Sequence, residues 1–304
     1  MSAMERATLR KGSDRGDPRD GRSTSAGRRS GFGVVGGGLV AVFVLLAVLA
    51  DVLTGYRPTE LVGSPLLPPS GAHRLGTNAV GQDVFTQLVA GARVSLIVAV
   101  LAGAGTITIG ALVGVTAGWF GGRTDAVLMR VVDLVLVTPR LPLLIVVGAY
   151  VGPSLPVISA IIALTFWPSS ARVVRSQVLS LRRRSHVRAA VGFGAGARHV
   201  LRRHIFPEVS LLLVAGLVGA AGRAVALEAG LAFLGLGDPS RMSWGRILRD
   251  AMDFSALLYT DAWQWWLLPP VVAIALLLIG ITLLGIAVEH RINPRLTRHK
   301  GGRR

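Results

Sequence analysis

Several ionisable residues interrupt the long apolar runs of this sequence, and four of them are candidate functional or structural charges. Asp133 and Arg140 fall in one run, and Arg223 and Glu228 fall in another. A charge at membrane depth costs roughly 2.5–3.5 kcal/mol on insertion scales, so such residues usually pair or line a solute pathway. Arg223 and Glu228 do not share one tight helix face. A structural pair, between them or with a neighbouring helix, is favoured over a substrate contact.

Arg140 lies between Pro139 and Pro142, where the fixed backbone of proline favours a broken helix. An arginine at such a break can line a pore, or its long side chain can extend to the membrane surface. The sequence leaves both interpretations open.

A basic stretch between two of the apolar runs has the pattern of a docking segment. We call residues 182–208 the basic loop. Ser185 is expected to cap a short helix that contains Arg188, Ala189 and Ala190. The small alanines leave this helix shallow enough to lie in the cleft of a partner protein.

The glycines that follow predict a tight reversal, and they are Gly192, Gly194 and Gly196. A second short helix is expected over residues 197–204, with its arginines toward water. Phe206 and Pro207 come next, and Pro207 is expected to stop that helix before the following span. An ordinary positively charged loop is the alternative, but the spacing of alanine, glycine and proline favours docking.

The composition excludes several kinds of chemistry. The chain has no cysteine, which excludes disulfides, thiolate nucleophiles and cysteine-ligated metals. Neither Lys11 nor Lys300 follows a glycine, so there is no Walker A loop. The six histidines form no ligand pattern, and no metal or other cofactor is expected on this chain. Basic residues cluster beside apolar runs instead of among aromatic platforms, which argues against a nucleic-acid binder.

The apolar runs predict an all-α polytopic membrane protein. The chain of 304 residues is 51% hydrophobic with a mean hydropathy of +0.57, and each run can cross about 30 Å of hydrocarbon as a helix. We predict six transmembrane helices, at 33–53, 92–118, 127–151, 156–178, 209–232 and 266–288. Gly110, Gly114, Gly118 and Gly122 recur every four residues and predict close helix packing.

Clusters of arginine predict the orientation of these spans. Segments 1–33, 172–203 and 289–304 hold 23 of the 33 basic residues, and the positive-inside rule places such clusters in the cytoplasm. The expected cytoplasmic segments, which include both termini, are 1–32, 179–208 and 289–304, and the expected external loops include 54–91 and 233–265.

Two further features of the sequence belong to this predicted topology. The polar segment 1–32 has no apolar period and is expected to be disordered. Trp263, Trp265 and Trp266 fall where the last span would enter the outer interface, as in an aromatic belt.

Motifs along the chain resemble a family of transport subunits. The spacing of Ala189-Ala190, Gly194 and Phe206-Pro207 is similar to the EAA signature of importer-type ABC permeases. Further matching segments are HRLGTN (73–78), GQDV (81–84), GARVSL (91–96), GWFGG (118–122), MRVVD (129–133), LEAGLAFLGLG (227–237), Pro239 and SWG (243–245). They cover about residues 70–297 and resemble the C-type permease of the binding-protein-dependent dipeptide/oligopeptide/nickel importers.

This resemblance implies a five-helix importer-permease (MetI-like) core, residues 92–288, plus one N-terminal helix, in the cell inner membrane. Such a subunit is not an enzyme. ATP and Mg²⁺ bind to two partner ATP-binding cassette subunits, which dock on loop 179–208 and drive alternating access. The other implied partners are a homologous second permease, an external solute-binding protein and membrane lipid, with no nucleic acid.

Import of short peptides, dipeptides or oligopeptides, is the leading expectation, and a nickel or metal-chelate importer of the same family is the alternative. An ion-coupled secondary transporter or a membrane scaffold is less favoured, since a proton or ion relay would need more intramembrane acids. The chain also departs from the family pattern. Arg188, Phe206 and Glu208 replace the usual Glu, Leu and Asn, and Asn78 and Gln82 stand where Asp and Arg are usual.

Overall fold

The computed structural model describes residues 20–292, with side chains described for residues 31–289. Its helices are α1 (Asp20–Val48), α2 (Ala50–Leu53), α3 (Val84–Phe120), α4 (Gly122–Val137), α5 (Arg140–Val151), α6 (Leu155–Arg182), α7 (Ser185–Gly192), α8 (Ala197–Val200), α9 (Phe206–Phe233), α10 (Trp244–Met252) and α11 (Leu268–Ile292). Five helical segments are long and apolar enough to cross a membrane, or six if α4 and α5 form one bent span. The predicted all-α polytopic fold is confirmed.

The N-terminal helix begins earlier than predicted. α1 starts at Asp20, so the expectation of a disordered tail over 1–32 is wrong for residues 20–32, and residues 1–19 lie outside the described part. Once a helix has formed, each added residue gains a hydrogen bond, so the apolar run extends helix into the polar segment. α1 packs along α11, where a Cβ on Gly36 would lie 2.6 Å from the Leu284 nitrogen.

The second span begins at Val84 instead of residue 92, so the loop predicted as 54–91 ends at residue 83 and the core begins earlier. Asp83 caps this helix, since its carboxylate accepts hydrogen bonds from the backbone N–H and hydroxyl of Thr86 at 2.8 and 2.9 Å. The ring of His73 lies 3.0 Å from the other carboxylate oxygen, and both side chains are buried. This buried cap holds the loop against the start of α3.

Glycine lets α3 and α6 approach closely. A Cβ on Gly110, Gly114 or Gly118 would come within 2.5–2.8 Å of an α6 atom. The predicted close packing is confirmed for these three. Gly122 instead begins α4 and has no atom near the position of a Cβ, so it does not belong to the stripe.

The third span is bent. α4 and α5 meet at 84° across Thr138 and Pro139, which confirms the predicted break beside Arg140. Pro142 lies in the first turn of α5, where a missing backbone N–H costs no helical hydrogen bond. The bend turns the span predicted as 127–151 into two shorter helices.

A folded segment closes the end of the bundle opposite the basic loop. It contains α10, and the buried Trp244 ring there donates from Nε1 to the Leu88 carbonyl at 2.8 Å. Trp266 is 2% exposed and packs in the same apolar cluster, while Trp265 donates to the Thr77 carbonyl at 3.3 Å. The predicted aromatic belt is therefore wrong for Trp266, which is a core residue. The tail predicted as 289–304 begins inside α11, and residues 293–304 lie outside the described part.

Candidate functional site

The basic loop starts with a short helix, as predicted. α7 spans Ser185–Gly192 and contains Ala189 and Ala190. Arg184 holds the cap position, and no side chain caps the helix, so the expected capping by Ser185 is wrong. The first turn of α7 has no internal partner for its N–H groups, which leaves them to water or to another protein.

The predicted reversal follows α7. Gly194 has φ of +86°, a conformation that L residues with a side chain rarely adopt, and nothing lies within 4 Å of the position of a Cβ. Gly192 and Gly196 have no such φ and also face open space. Gly194 is therefore the residue that the turn requires, because its backbone conformation, not crowding, excludes a side chain.

The second half of the basic loop differs from the prediction. α8 passes through a π-helical turn, Leu201–Ile205, directly into α9, so Pro207 does not stop a helix. The Phe206 N–H bonds to the Leu201 carbonyl, and this wider turn accommodates proline at the next position without a break. α8 and α9 therefore form one continuous rod from the loop into the membrane span.

Apolar residues fasten the underside of the basic loop to the bundle. Val187 of α7, Val200 of α8 and Ile205 are buried, and they pack in one cluster with the ends of α6 and α9. An ion pair at 2.8 Å between Arg184 and Glu208 joins the start of the loop to the start of α9. A displacement of the loop must therefore move both spans.

The outer face of the loop presents an apolar tip that the sequence reasoning missed. The Phe193 side chain is 93% exposed, and the neighbouring Val191 is also exposed. Phe206, a residue of the predicted docking segment, is exposed at the start of α9. Exposed aromatic groups of this kind mark protein contacts. The signal in the sequence was a phenylalanine between two glycines, where no helix face could bury it. Arg188 is exposed on the same loop and takes part in none of the ion pairs among the described residues.

The intramembrane charges are arranged in a way that the sequence could not show. Asp133 pairs with Arg172 of α6, and Asp125 of α4 pairs with Arg175 at 2.5 Å. Both pairs join α4 to α6. The paired residues are 39 and 50 positions apart in the chain, so no local sequence pattern predicts the pairs. The pair expected for Arg223, with Glu228 or with a neighbouring helix, does not form among the described residues.

Glu228 is buried on the side of α9 that faces α3. Its side chain is 2% exposed and Oε2 has no hydrogen-bond partner among the described residues, while the Ser243 hydroxyl lies beside the carboxyl group. Oγ of Ser95 on α3 is buried and unpartnered as well. The antiparallel contacts of Gly103 with Ala221 and of Gly216 with Ile107 bring Ser95 level with Glu228.

Arg140 and Arg223 both approach the same face of α6. The Arg140 guanidinium lies over the Phe166 ring at 4.8 Å from the centroid, and Phe166 is one helical turn before Ser169 and Ser170. Arg223 is exposed and lines a groove between α6 and α9 with Ser169 and Ser170. The four predicted residues therefore fall into three places: Asp133 is in an ion pair, Glu228 is buried, and the two arginines lie near the groove between α6 and α9, which Arg223 lines and beside which Arg140 covers the Phe166 ring.

Asn78 and Gln82, where the chain departs from the family pattern, hydrogen-bond to each other. The Asn78 side-chain amide donates to Oε1 of Gln82 at 2.9 Å, and Gln87 donates to the same oxygen at 2.7 Å. A neutral amide pair thus occupies the positions where the family pattern has Asp and Arg.

The match to known proteins agrees with this architecture. The family described as "Binding-protein-dependent transport system inner membrane component" matches residues 107–298. A putative peptide permease protein of Brucella suis is 37% identical over 262 residues, which are 85% of this chain and 86% of that protein. This chain belongs to the binding-protein-dependent transport permeases. The dipeptide transport system permease protein DppC of Alkalihalophilus pseudofirmus is 32% identical to the permease over 271 residues, 88% of each chain.

Membership of this family bears on the expected membrane location, on the expectation that the subunit is not an enzyme, and on the substrate alternatives. The permease is a multi-pass membrane protein and a transport subunit, and its family is not one of enzymes. Both of these relatives are named for peptides, so the nickel alternative is not favoured.

Proposed function

We propose that this permease is the membrane subunit of an ATP-driven importer of short peptides and forms half of the translocation pathway. The choice of peptides as the proposed substrate rests on the peptide and dipeptide permeases that match most of the chain. The groove between α6 and α9 gives a physical reason against a free metal ion, because the Arg223 guanidinium that lines it would repel Ni²⁺.

ATP and Mg²⁺ bind to two partner ATP-binding cassette subunits, and one of them docks on the basic loop. The exposed Phe193 supports this proposal, since an apolar side chain at the tip of a charged loop gains free energy when a cleft covers it. The buried cluster below the tip then carries motion of the ATPase into α6 and α9. Arg188 would meet an acid on this ATPase, where the family's usual Glu would meet a base.

The basic loop and both termini face the cytoplasm, and the α10 end faces outward, in the inner membrane. The arginine clusters support this orientation. An external solute-binding protein delivers peptide at the α10 end. A homologous second permease covers the sparsely packed α5, whose exposed side chains include Leu141, Val146 and Tyr150.

Reconstitution tests the proposal. Vesicles that contain the permease, its second permease and both ATPases should hydrolyse ATP and accumulate dipeptides only when peptide-loaded binding protein is outside. Uptake that follows a proton gradient without ATP would establish a secondary transporter, and uptake of radiolabelled nickel instead of peptide would establish the alternative substrate. A scaffold would show neither.

Phe193 offers a sharper test of docking. We expect Phe193→Ser to lower co-purification of the ATPase by about tenfold, because one buried aromatic contact contributes roughly 1.5–3 kcal/mol. Tyr259→Ser is the matched control, since Tyr259 is equally exposed but lies at the α10 end. Normal ATPase binding and uptake by Phe193→Ser would show that the loop tip is not the dock.

A further inference from the structure

Two arginines at membrane depth, Arg140 and Arg223, form no ion pair with any acid of the described residues. Arg223 lies ten residues before the end of α9, about 15 Å from that end and therefore near the middle of a hydrocarbon layer of about 30 Å. Its side chain is exposed on the surface of the bundle, and Arg140 is half-buried over the Phe166 ring, one helical turn from the two serines that line the same groove as Arg223. Lipid is a poor environment for such a surface, so it must face a partner or an aqueous pathway.

The acids of the described chain are committed elsewhere. Asp133 pairs with Arg172, and Glu228 is buried on the α3 side of α9. Glu289 of α11 shares a groove with Arg223. However, the contacts of Gly222 with Ile281 and of Gly285 with Val218 put Glu289 level with residue 214, about 13 Å along the helix from Arg223. The missing anion therefore comes from outside the part of the chain that the structure describes.

The surroundings of the arginines suit a carboxylate on a small ligand. The groove of about 310 Å³ between α6 and α9 falls within the size range of small-molecule sites and adds two hydroxyl groups, on Ser169 and Ser170. Gly219 and Ala226 flank Arg223 on the exposed side of α9, so the backbone is recessed around the guanidinium. Guanidinium groups bind carboxylates through two parallel hydrogen bonds, and the Arg140 guanidinium lies over the Phe166 ring at the side of this groove.

We propose that Arg140 and Arg223 form a binding station for the C-terminal carboxylate of a peptide as it crosses the membrane, with Ser169 and Ser170 as neutral hydrogen-bonding groups. This inference rests on the proposed function and names the part of the peptide that the pathway recognises. Peptides of any side-chain composition share this carboxylate, so one station serves many sequences.

The experiment compares an equimolar mixture of dipeptides with the same mixture amidated at the C-terminus, as uptake into vesicles that contain the complete complex. Uptake is read by mass spectrometry. The same binding protein delivers both mixtures, so its own preference cancels when a variant is compared with the unmodified complex. We expect the acid-to-amide uptake ratio to fall about tenfold in the Arg140→Gln/Arg223→Gln variant, since a charged hydrogen-bonded contact is lost.

Two further variants keep the result interpretable. Arg130→Gln removes an exposed arginine of α4 that does not line the groove, and its ratio should stay unchanged. Arg223→Lys keeps the charge but loses the paired donors, so its ratio should fall part of the way even if the double variant assembles poorly.

An unchanged acid-to-amide uptake ratio in a double variant that assembles would refute the proposed binding station. So would a double variant that loses the second permease while Arg223→Lys keeps the normal ratio, because the anion would then be an acid of that subunit. An unmodified complex that takes up neither mixture would refute peptide import itself, which separates failure of the proposed function from failure of this inference.

Discussion

At Glu228 a buried carboxyl group lies beside the Ser243 hydroxyl and level with Ser95 of α3, and its Oε2 accepts no hydrogen bond from any described residue. We expect Glu228→Gln to keep normal complex levels and transport, because an amide fits the same space and can donate to Ser95. Glu228→Leu should lower the free energy of unfolding by about 1–3 kcal/mol, since the buried Ser243 hydroxyl loses the carboxyl group to which it donates. Thermal melting of the purified complex measures both.

Glu289→Gln serves as the control at an exposed acid of α11 and should leave melting unchanged. The structural role assigned to Glu228 would be wrong if Glu228→Gln assembled normally but changed which solutes cross, because the residue would then contact the solute.

The Asn78–Gln82 pair allows a second test on single residues. Asn78→Asp replaces the donor that faces Oε1 of Gln82 with an acceptor, so we expect a loss of about 1–3 kcal/mol in stability. Adding Gln82→Arg should recover most of that loss, because a guanidinium donates to the new carboxylate and restores the family's usual pair. Melting of the two single variants and the double variant gives the coupling energy, and strictly additive effects would show that the two positions do not compensate.

Among the elements, the turn after α7 depends on one backbone conformation. We expect Gly194→Ala to leave the permease inserted but to reduce peptide-driven ATPase activity, because a Cβ at φ of +86° costs roughly 1–2 kcal/mol and displaces the loop tip. Gly192→Ala is the matched control, since Gly192 faces equally open space without a positive φ. Equal activity in the two variants would mean that the turn does not position the dock.

Elements were predictable from the sequence where one local pattern determines them. The length of the apolar runs predicted every span. The two prolines around Arg140 predicted the break in the third span, and the glycine repeat predicted the close packing that the structure shows between α3 and α6. Helix ends were less predictable, because Asp83 moves the start of α3 by capping and a π-helical turn absorbs Pro207. The ion pairs of Asp125 and Asp133 could not be predicted, since each depends on how distant helices align.

At the scale of the whole molecule, the bundle is built to connect its two ends. α9 is continuous with the basic loop at one end, and at the other its residue Ala229 lies so close to α10 that a Cβ on Gly245 would be 2.1 Å from the Ala229 carbonyl oxygen. The Leu155 N–H donates to Asp238 at 2.9 Å, which ties the start of α6 to the segment before α10. A shift of the loop therefore reaches the opposite face through two rods that contact each other.

An ATPase can move the basic loop only if this loop faces the cytoplasm. Labelling of single cysteines tests that orientation. The chain has no native cysteine, so one introduced thiol reports alone. Ser185 and Ser255 are exposed at opposite ends, and Ser255 is preferable to Ser240, whose hydroxyl bonds to Asp238. We expect a membrane-impermeant maleimide to label Ser255→Cys in intact cells and Ser185→Cys only after permeabilisation, because segments 1–32, 179–208 and 289–304 hold 21 of the 33 basic residues and the positive-inside rule retains such segments in the cytoplasm. Labelling of Ser185→Cys in intact cells, with Ser255→Cys silent until permeabilisation, would reverse the orientation and place the ATPase dock on a side without ATP.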